Sequence, residues 1–257
     1  MEITVLLENT TTKEGMETEH GLSLYIKSQG MNILFDMGQT DMFLRNAEKL
    51  GIDIADADIA ILSHGHYDHG GGLCTFLERN KKAPVYINRN AFIPHFNGTE
   101  KYIGLDKALC QSKRLIFTDT EVSICKGVTL YPASPDITGK FTSAGLTYME
   151  NGEFFPEDFR HEQYLEIVEN GKKILFSGCS HRGITNIVKH FSPNILVGGF
   201  HLSKVNDNAE LCDYAEFLGS FSARFYTCHC TGEYQTAFLS EKMKDLCGIH
   251  CGDRIII

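Results

Sequence analysis

Ten residues, Ser63-His64-Gly65-His66-Tyr67-Asp68-His69-Gly70-Gly71-Gly72, constrain this chain more than any other stretch. They directly follow Asp58–Leu62, which reads as a buried strand, so three imidazoles and a carboxylate arrive together at a strand end. Alternation on a turn places His64 and His66 side by side and swings Asp68 and His69 the other way. One short loop can therefore grip two neighbouring cations. Imidazole and carboxylate are the donors that suit Zn²⁺ and related first-row metals. The glycines that follow permit tight backbone geometry before a helix that buries Leu73, Phe76 and Leu77. The plain alternative is a polar surface loop that happens to be His-rich, and the density of donors weighs against it.

The pattern around this loop is that of a covered sheet. Strands are expected at Glu2–Leu7, Leu22–Lys27 and Asn32–Phe35, an antiparallel meander with Gly30 in its turn. A helix follows, with Thr40 as N-cap, Phe43, Ala47 and Leu50 on one face and Gly51 at its end. From Lys81 to Phe159 short apolar pieces (Val85–Ile87, Leu115–Phe117, Val128–Tyr131, Leu146–Met149) alternate with turn residues and read as strands and long loops. Beyond that the order is regular: strands Tyr164–Val168 and Lys173–Phe176, a helix carrying Ile184, Ile187, Val188 and Phe191, and a strand Ile195–Val197. It continues with a helix carrying Leu211, Tyr214, Ala215 and Leu218, a strand Arg224–Thr227, a helix with Leu239, Met243 and Leu246, and a strand Gly252–Ile257. No linker or repeat divides the 257 residues, so one domain spanning 1–257 is expected, of mixed α/β (α+β) class with a sheet core covered by helices.

Several further residues carry chemistry. Cys179 and His181 sit just past a strand and before a helix, where side chains reach a sheet edge and a thiol's pKa is lowered. Either can complete a metal shell; the alternative is a buried cysteine beside a helix-capping histidine. In Cys228-His229-Cys230, an extended backbone would turn both sulfurs away from the face His229 uses. A separate thiolate site with Cys247 and Cys251 has weak support. His201 follows a strand and two glycines and can contact substrate or support a ligand, or be structural. His161 lies where a loop ligand is sought, while His20, His95, His190 and His250 lack a supporting constellation.

The loop at His64, His66, Asp68 and His69 resembles the His-x-His-x-Asp-His signature of the metallo-β-lactamase superfamily. The resemblance extends to the family of metal-dependent hydrolases similar to the 7,8-dihydropterin-6-methyl-4-(β-D-ribofuranosyl)aminobenzene 5′-phosphate synthases. It is carried by Glu19–Ser23, Leu34–Gln39, Ser177–Ile184, Gly199–Leu202 and His229–Gly232. It implies a four-layer αββα sandwich with the active site at one edge of two sheets. It further implies two divalent ions, zinc first with manganese or iron as alternatives. His64 and His66 would serve one ion and Asp68, His69 and His229 the other; Cys179 stands where the superfamily places a metal-binding Asp or Cys. His181 would substitute for the first ion's third ligand, with His161 and His201 as alternatives, and Asp36 would orient the loop by hydrogen bonding.

Composition narrows what such a centre acts on. A net charge of −9 repels phosphate backbones, so nucleic acid is not expected as a partner. No apolar run is long enough for a membrane span, the first residues lack the pattern of a signal peptide, and nine scattered cysteines suit a reducing compartment. A cytoplasmic enzyme acting on a small molecule, phosphorylated or pterin-like, is therefore expected, with oligomeric state left open. The leading reading is a hydrolase of an ester, lactone or phosphoester, with Asp68, His181 and His201 as catalytic candidates; a synthase on the same metal centre and a noncatalytic metal-binding module are its rivals.

Overall fold

The computed structural model describes residues 1–139, 141 and 145–257. Strict alternation of apolar side chains along the strands determines its layers. Val5, Leu24, Ile26, Ile33, Phe35, Ile59 and Ile61 face one way and join Leu130, Leu165, Ile167, Ile174, Phe176 and Val197 in a core between two sheets. The intervening residues Leu6, Tyr25, Leu34, Ala60 and Leu62 face the other way and pack with Phe43, Ala47, Leu73 and Phe76. On the far sheet, Leu175, Leu196 and Phe225 pack with Ile184, Ile187, Val188, Leu211, Leu218 and Leu239. Three cores between four layers make an αββα sandwich.

The first sheet runs in the order Arg254–Ile256, Glu2–Leu7, Ser23–Ser28, Met31–Phe35, Ile59–Leu62, Val85–Asn88, Leu115–Thr118. The second runs Leu246–Gly248, Arg224–Thr227, Ile195–Gly198, Lys172–Ser177, Gln163–Glu169, Val128–Pro132, Val122–Cys125. Met31–Phe35 is parallel to Ile59–Leu62, and Lys172–Ser177, Ile195–Gly198 and Arg224–Thr227 are mutually parallel. Their carboxyl ends open on one edge of the sandwich.

Three details depart from the sequence reading. The helix expected to carry Leu239, Met243 and Leu246 stops at Lys242, and Leu246 opens an edge strand instead. The cap position of the helix Met42–Lys49 is Asp41, although the Thr40 hydroxyl does accept the Met42 N–H at 3.2 Å. In the middle third three of the expected pieces extend the two main sheets, while Leu146–Glu150 joins Glu153–Pro156, His95–Asn97 and Lys101–Tyr102 in a separate four-stranded sheet. No helix among the described residues is long and apolar enough to cross a membrane.

Candidate metal centre

Five segments meet at the open edge, each from the carboxyl end of a strand. Met31–Phe35 delivers Asp36, Ile59–Leu62 delivers the Ser63–His69 loop, and Lys172–Ser177 delivers Cys179 and His181. Ile195–Gly198 leads to His201 and Arg224–Thr227 to His229 and Cys230. Asp36, Ser180, His201 and His229 all hold left-handed backbone, at φ of 60°, 57°, 53° and 53°. Such conformations cost about 1–3 kcal/mol each and persist where the surroundings over-determine them. The two sheets touch closely here. A Cβ on Gly178 would lie 2.1 Å from Ser63 Oγ and 3.1 Å from His64 Nδ1, so only glycine lets the second sheet pass the first sheet's loop.

Asp36, fully buried, organises the loop. Its Oδ1 accepts the Ser63 N–H at 2.7 Å, and its Oδ2 accepts both the Ser63 hydroxyl and the His69 Nδ1–H at 2.7 Å. Ser63 Oγ in turn accepts from His64 Nδ1 at 2.8 Å. Across the cleft His229 Nδ1 donates to Asn9 Oδ1 at 2.8 Å, and the His229 N–H donates to Glu8 at 2.7 Å. These partners fix each tautomer and turn the Nε2 lone pairs of His64, His69 and His229 inward. His181 is held by Glu162, which accepts its N–H at 2.6 Å, and by Phe159, stacked on its ring at 4.6 Å and 3°.

The inward atoms converge. His69 Nε2 lies 3.2 Å from His229 Nε2 and 3.1 Å from Cys179 Sγ, and His64 Nε2 lies 3.3 Å from His181 Nε2. Two imidazole lone pairs this close repel unless a positive charge lies between them. At His69 burial disfavours the imidazolium, but the Asp36 and Asp68 carboxylates outweigh it and raise the pKa to about 9. Burial, then neighbouring imidazoles, hold His64, His66 and His181 well below the usual histidine range. Against its desolvation, Asp68 is held well below the carboxylate range by His69, His20 and His229. Burial and the adjacent Cys230 push the Cys179 thiol well up without metal. Neutral imidazoles at His64 and His181, with protons at His69 and Cys179 to be released on binding, suit a divalent metal.

Of three donor sets that share the Cys179 sulfur, two take histidines from both sheets: His64, Cys179 and His181, and His69, Cys179 and His229, with one ligand atom of each residue within 4.8 Å of the others in its set. Asp68 joins from the His229 side, its Oδ2 3.4 Å from His229 Nε2 and 3.3 Å from His20 Nε2. His20 is thus part of the constellation it was expected to lack. The His66 ring stands beside those of His64 and His181, at 4.6 and 4.9 Å, and one of its nitrogens also groups with His95, Glu157 and His161. His95, expected to have no partners, is buried against Glu157 at 2.8 Å. Cys230 was expected to point away, yet His229–Thr231 form a 3-10 turn rather than extended chain, and Cys230 groups with Cys179 and His201. Cys228 does point into the core between the sheets. Gly232, at φ 89°, was the sequence signal that the segment turns there.

His201 stands with its ring 4.3 Å from that of His181 and lines a cavity of about 280 Å³ above the centre. Asp68, His66, Asn97, Lys101 and Lys204 share that lining. Gln163 ties the sheets beneath: its N–H donates to Ser63 O at 2.8 Å and its side chain to Leu62 O at 2.7 Å.

The fold and sequence have known relatives. The sequence profile of the Metallo-beta-lactamase superfamily matches residues 17–204. A Methanocaldococcus jannaschii protein named as 7,8-dihydropterin-6-methyl-4-(beta-D-ribofuranosyl)-aminobenzene-5′-phosphate synthase is 30% identical over 262 residues, covering 91% of this chain and 89% of its own. An uncharacterized protein of the same organism is 28% identical, with 90% of each chain covered. Among solved structures, Tm1679, described as a metal-dependent hydrolase of the beta-lactamase superfamily, superposes with a TM-score of 0.87 at 31% identity over 100% of this chain and 99% of its own. The Zn²⁺-bound PqqB of Methylobacterium extorquens shares the fold, with a TM-score of 0.59 at 11% identity over the full length of both chains. From its sheet topology, its histidine-rich loop and these matches, the chain belongs to the metallo-β-lactamase superfamily.

Proposed function

We propose that the protein is a binuclear metal-dependent hydrolase of a small anionic ester, lactone or phosphoester, its two divalent cations sharing Cys179. The observation that carries this reading is the pair of donor sets meeting at one sulfur, His64–Cys179–His181 and His69–Cys179–His229. Nitrogen donors with one thiolate favour zinc, with manganese or iron as alternatives. Two such cations supply Lewis acidity and a hydroxide nucleophile near neutral pH.

The chain's own residues do the rest. Asp68, between His20 and His229, is placed to take up the proton of an attacking water and pass it to His20, which it holds above its ordinary pKa. Lys101 and Lys204 at the cavity wall give an otherwise acidic protein a local attraction for an anionic group. His201 and Asn97 offer hydrogen bonds to the substrate's polar atoms. Burial of His64, His69 and His181 keeps water from competing for the donors.

The test is turnover of chromogenic phosphodiesters and carboxyl esters by zinc-loaded protein, with and without chelator, alongside Cys179→Ser. Chelator-sensitive turnover lost by about 10²-fold or more in Cys179→Ser is expected. Turnover unaffected by chelator and by the substitution would contradict the reading. A synthase is the second reading, favoured by the 30% identity to the dihydropterin-linked enzyme and by a second cavity of about 600 Å³, which shares His20, Ser203 and Cys230 with the first. Two cavities at one centre leave room for two reactants. Product analysis with and without an aromatic amine acceptor separates the two chemistries.

A further inference from the structure

Three parallel strands of the second sheet lie side by side beneath the centre, and the turns beyond them are pinned to one another. Ser177 pairs with Gly198 and Gly198 with Thr227, so Gly178–Cys179, Gly199 and Cys228–Cys230 follow in one row. The Gly199 N–H donates to Gly178 O at 2.9 Å, the Phe200 N–H to Thr231 Oγ1 at 2.8 Å and the Ser203 N–H to Cys230 O at 3.2 Å. The middle of the row has no side chain, and Cys230 fills the space: a Cβ on Gly199 would lie 2.4 Å from Cys230 Sγ. The Cys230 thiol donates to Cys179 O at 3.6 Å, and the two sulfurs lie within 4.8 Å of each other. Both cysteines are unbridged, are 2% and 4% exposed, and line the cavity of about 280 Å³. Cys230 belongs to neither donor set that takes histidines from both sheets.

We propose that Cys179 and Cys230 are a modification site, joined in a reducible disulfide when a hydroperoxide enters the cavity of the metal-free protein, and that this bond closes the centre to metal. The backbone already brings the sulfurs together. Side-chain rotation has only to close a gap of at most 4.8 Å to an S–S bond of about 2.05 Å. Cys230 lines both cavities at the centre and so meets the oxidant first. Its sulfur attacks a peroxide oxygen, the O–O bond breaks, and the thiol proton leaves with the other oxygen, giving the sulfenic acid and water or an alcohol. The Cys179 sulfur then attacks the Cys230 sulfur, the S–O bond breaks, and hydroxide departs with the Cys179 proton as water. Two thiols lose two electrons and one peroxide gains them. A ligand thiol oxidised alone would climb on to the sulfinic acid, which thiols do not reverse; a second sulfur beside it stops the ladder at a reversible step. The bond needs no metal to form, whereas its effect on metal rests on Cys179 being the ligand shared by both cations.

The full chain, reduced and freed of metal by chelator, is exposed to about one equivalent of hydrogen peroxide, alkylated and digested with trypsin. Cys179 then lies on peptide 174–182 and Cys230 on peptide 225–242. The expected result is these two peptides joined, lighter than their sum by two hydrogens, with fragmentation placing the bond at Cys230 rather than Cys228. Zinc uptake of the oxidised chain should be lost, and should return after a thiol reductant. Cys230→Ser touches neither cross-sheet set, so it should take up zinc as the native chain does and keep that uptake through the same exposure. Recovery of both thiols in alkylated form, or a bond from Cys179 to any other cysteine, would overturn the proposal and leave the metal reading intact. An equal loss of zinc uptake in Cys230→Ser would also overturn it, since Cys179 would then be lost without its partner. A joined pair that binds zinc undiminished would keep the bond but overturn its effect, and with it the sharing of Cys179 by two cations. Should Cys230→Ser fail to fold, the native peptide map decides: the joined peptides support the site and their absence overturns it.

Discussion

Asp36 shows how much one residue determines. It touches no inward-facing donor atom of the centre, yet it accepts hydrogen bonds from the backbone and hydroxyl of Ser63 and from His69, and through Ser63 it orients His64. One ligand of each donor set therefore takes its tautomer from the same carboxylate. Asp36→Asn keeps the shape but puts an amide where two donors meet, so metal affinity should fall about 10–100-fold with the fold retained. Competition with a chromophoric chelator measures the loss, and unchanged affinity would remove Asp36 from its orienting role. At this scale the sequence was informative where donors stood in one run, as in His64 to His69, and where a thiol or imidazole followed a strand, as with Cys179, His181 and His229. His95 and Glu157 stand apart from every motif, 62 residues from each other, and only the pairing of two short strands with Leu146–Glu150 between them brings them together.

The elements divide into those that set the centre and those that pin the surface around it. Parallel strands could be read from their uninterrupted apolar runs, because both faces are buried and each run ends at a turn. Of the four-stranded sheet only Leu146–Met149 could be read. Glu153–Pro156 and Lys101–Tyr102 are short and exposed, with Phe154 and Phe155 among the exposed aromatics, so no burial pattern marked them. The helix Met42–Lys49 is tied to the preceding loop by Glu17, which meets Arg45 at 2.9 Å and Lys49 at 2.7 Å. Hydrogen bonds from Arg45, then Lys49, lower Glu17 from 4.5 to about 2. A depressed carboxylate contributes stability that is complete above its unfolded pKa and is lost as pH falls through its folded one. The gap in urea midpoint between native protein and Glu17→Gln should therefore close as pH drops from about 4.5 to about 2, being small throughout because the pair is exposed. A gap that stayed constant over this interval would show that the carboxylate's charge is not what ties the helix down.

At the scale of the whole molecule, the sandwich is two sheets whose edges are joined by the centre itself. Gln163 spans from the second sheet to Ser63 and Leu62 of the first, and donors from both sheets face each other across the cleft. Cations held by both sheets, as proposed, would bind the folded state alone and stabilise it by mass action, about 4 kcal/mol at a thousand-fold excess over Kd. For a chain of this size that corresponds to a fall in Tm of about 8–16 °C on chelation, read by calorimetry and reversed by zinc. The account rests above all on Cys179 belonging to two donor sets at once. Anomalous scattering at the metal edge from crystals of the loaded protein tests this directly. Two peaks about 3.5–4 Å apart, each about 2.3 Å from Cys179 Sγ, with one against His64 and His181 and the other against His69 and His229, are the predicted result. A single peak, or two peaks with Cys179 bound to neither, would contradict it.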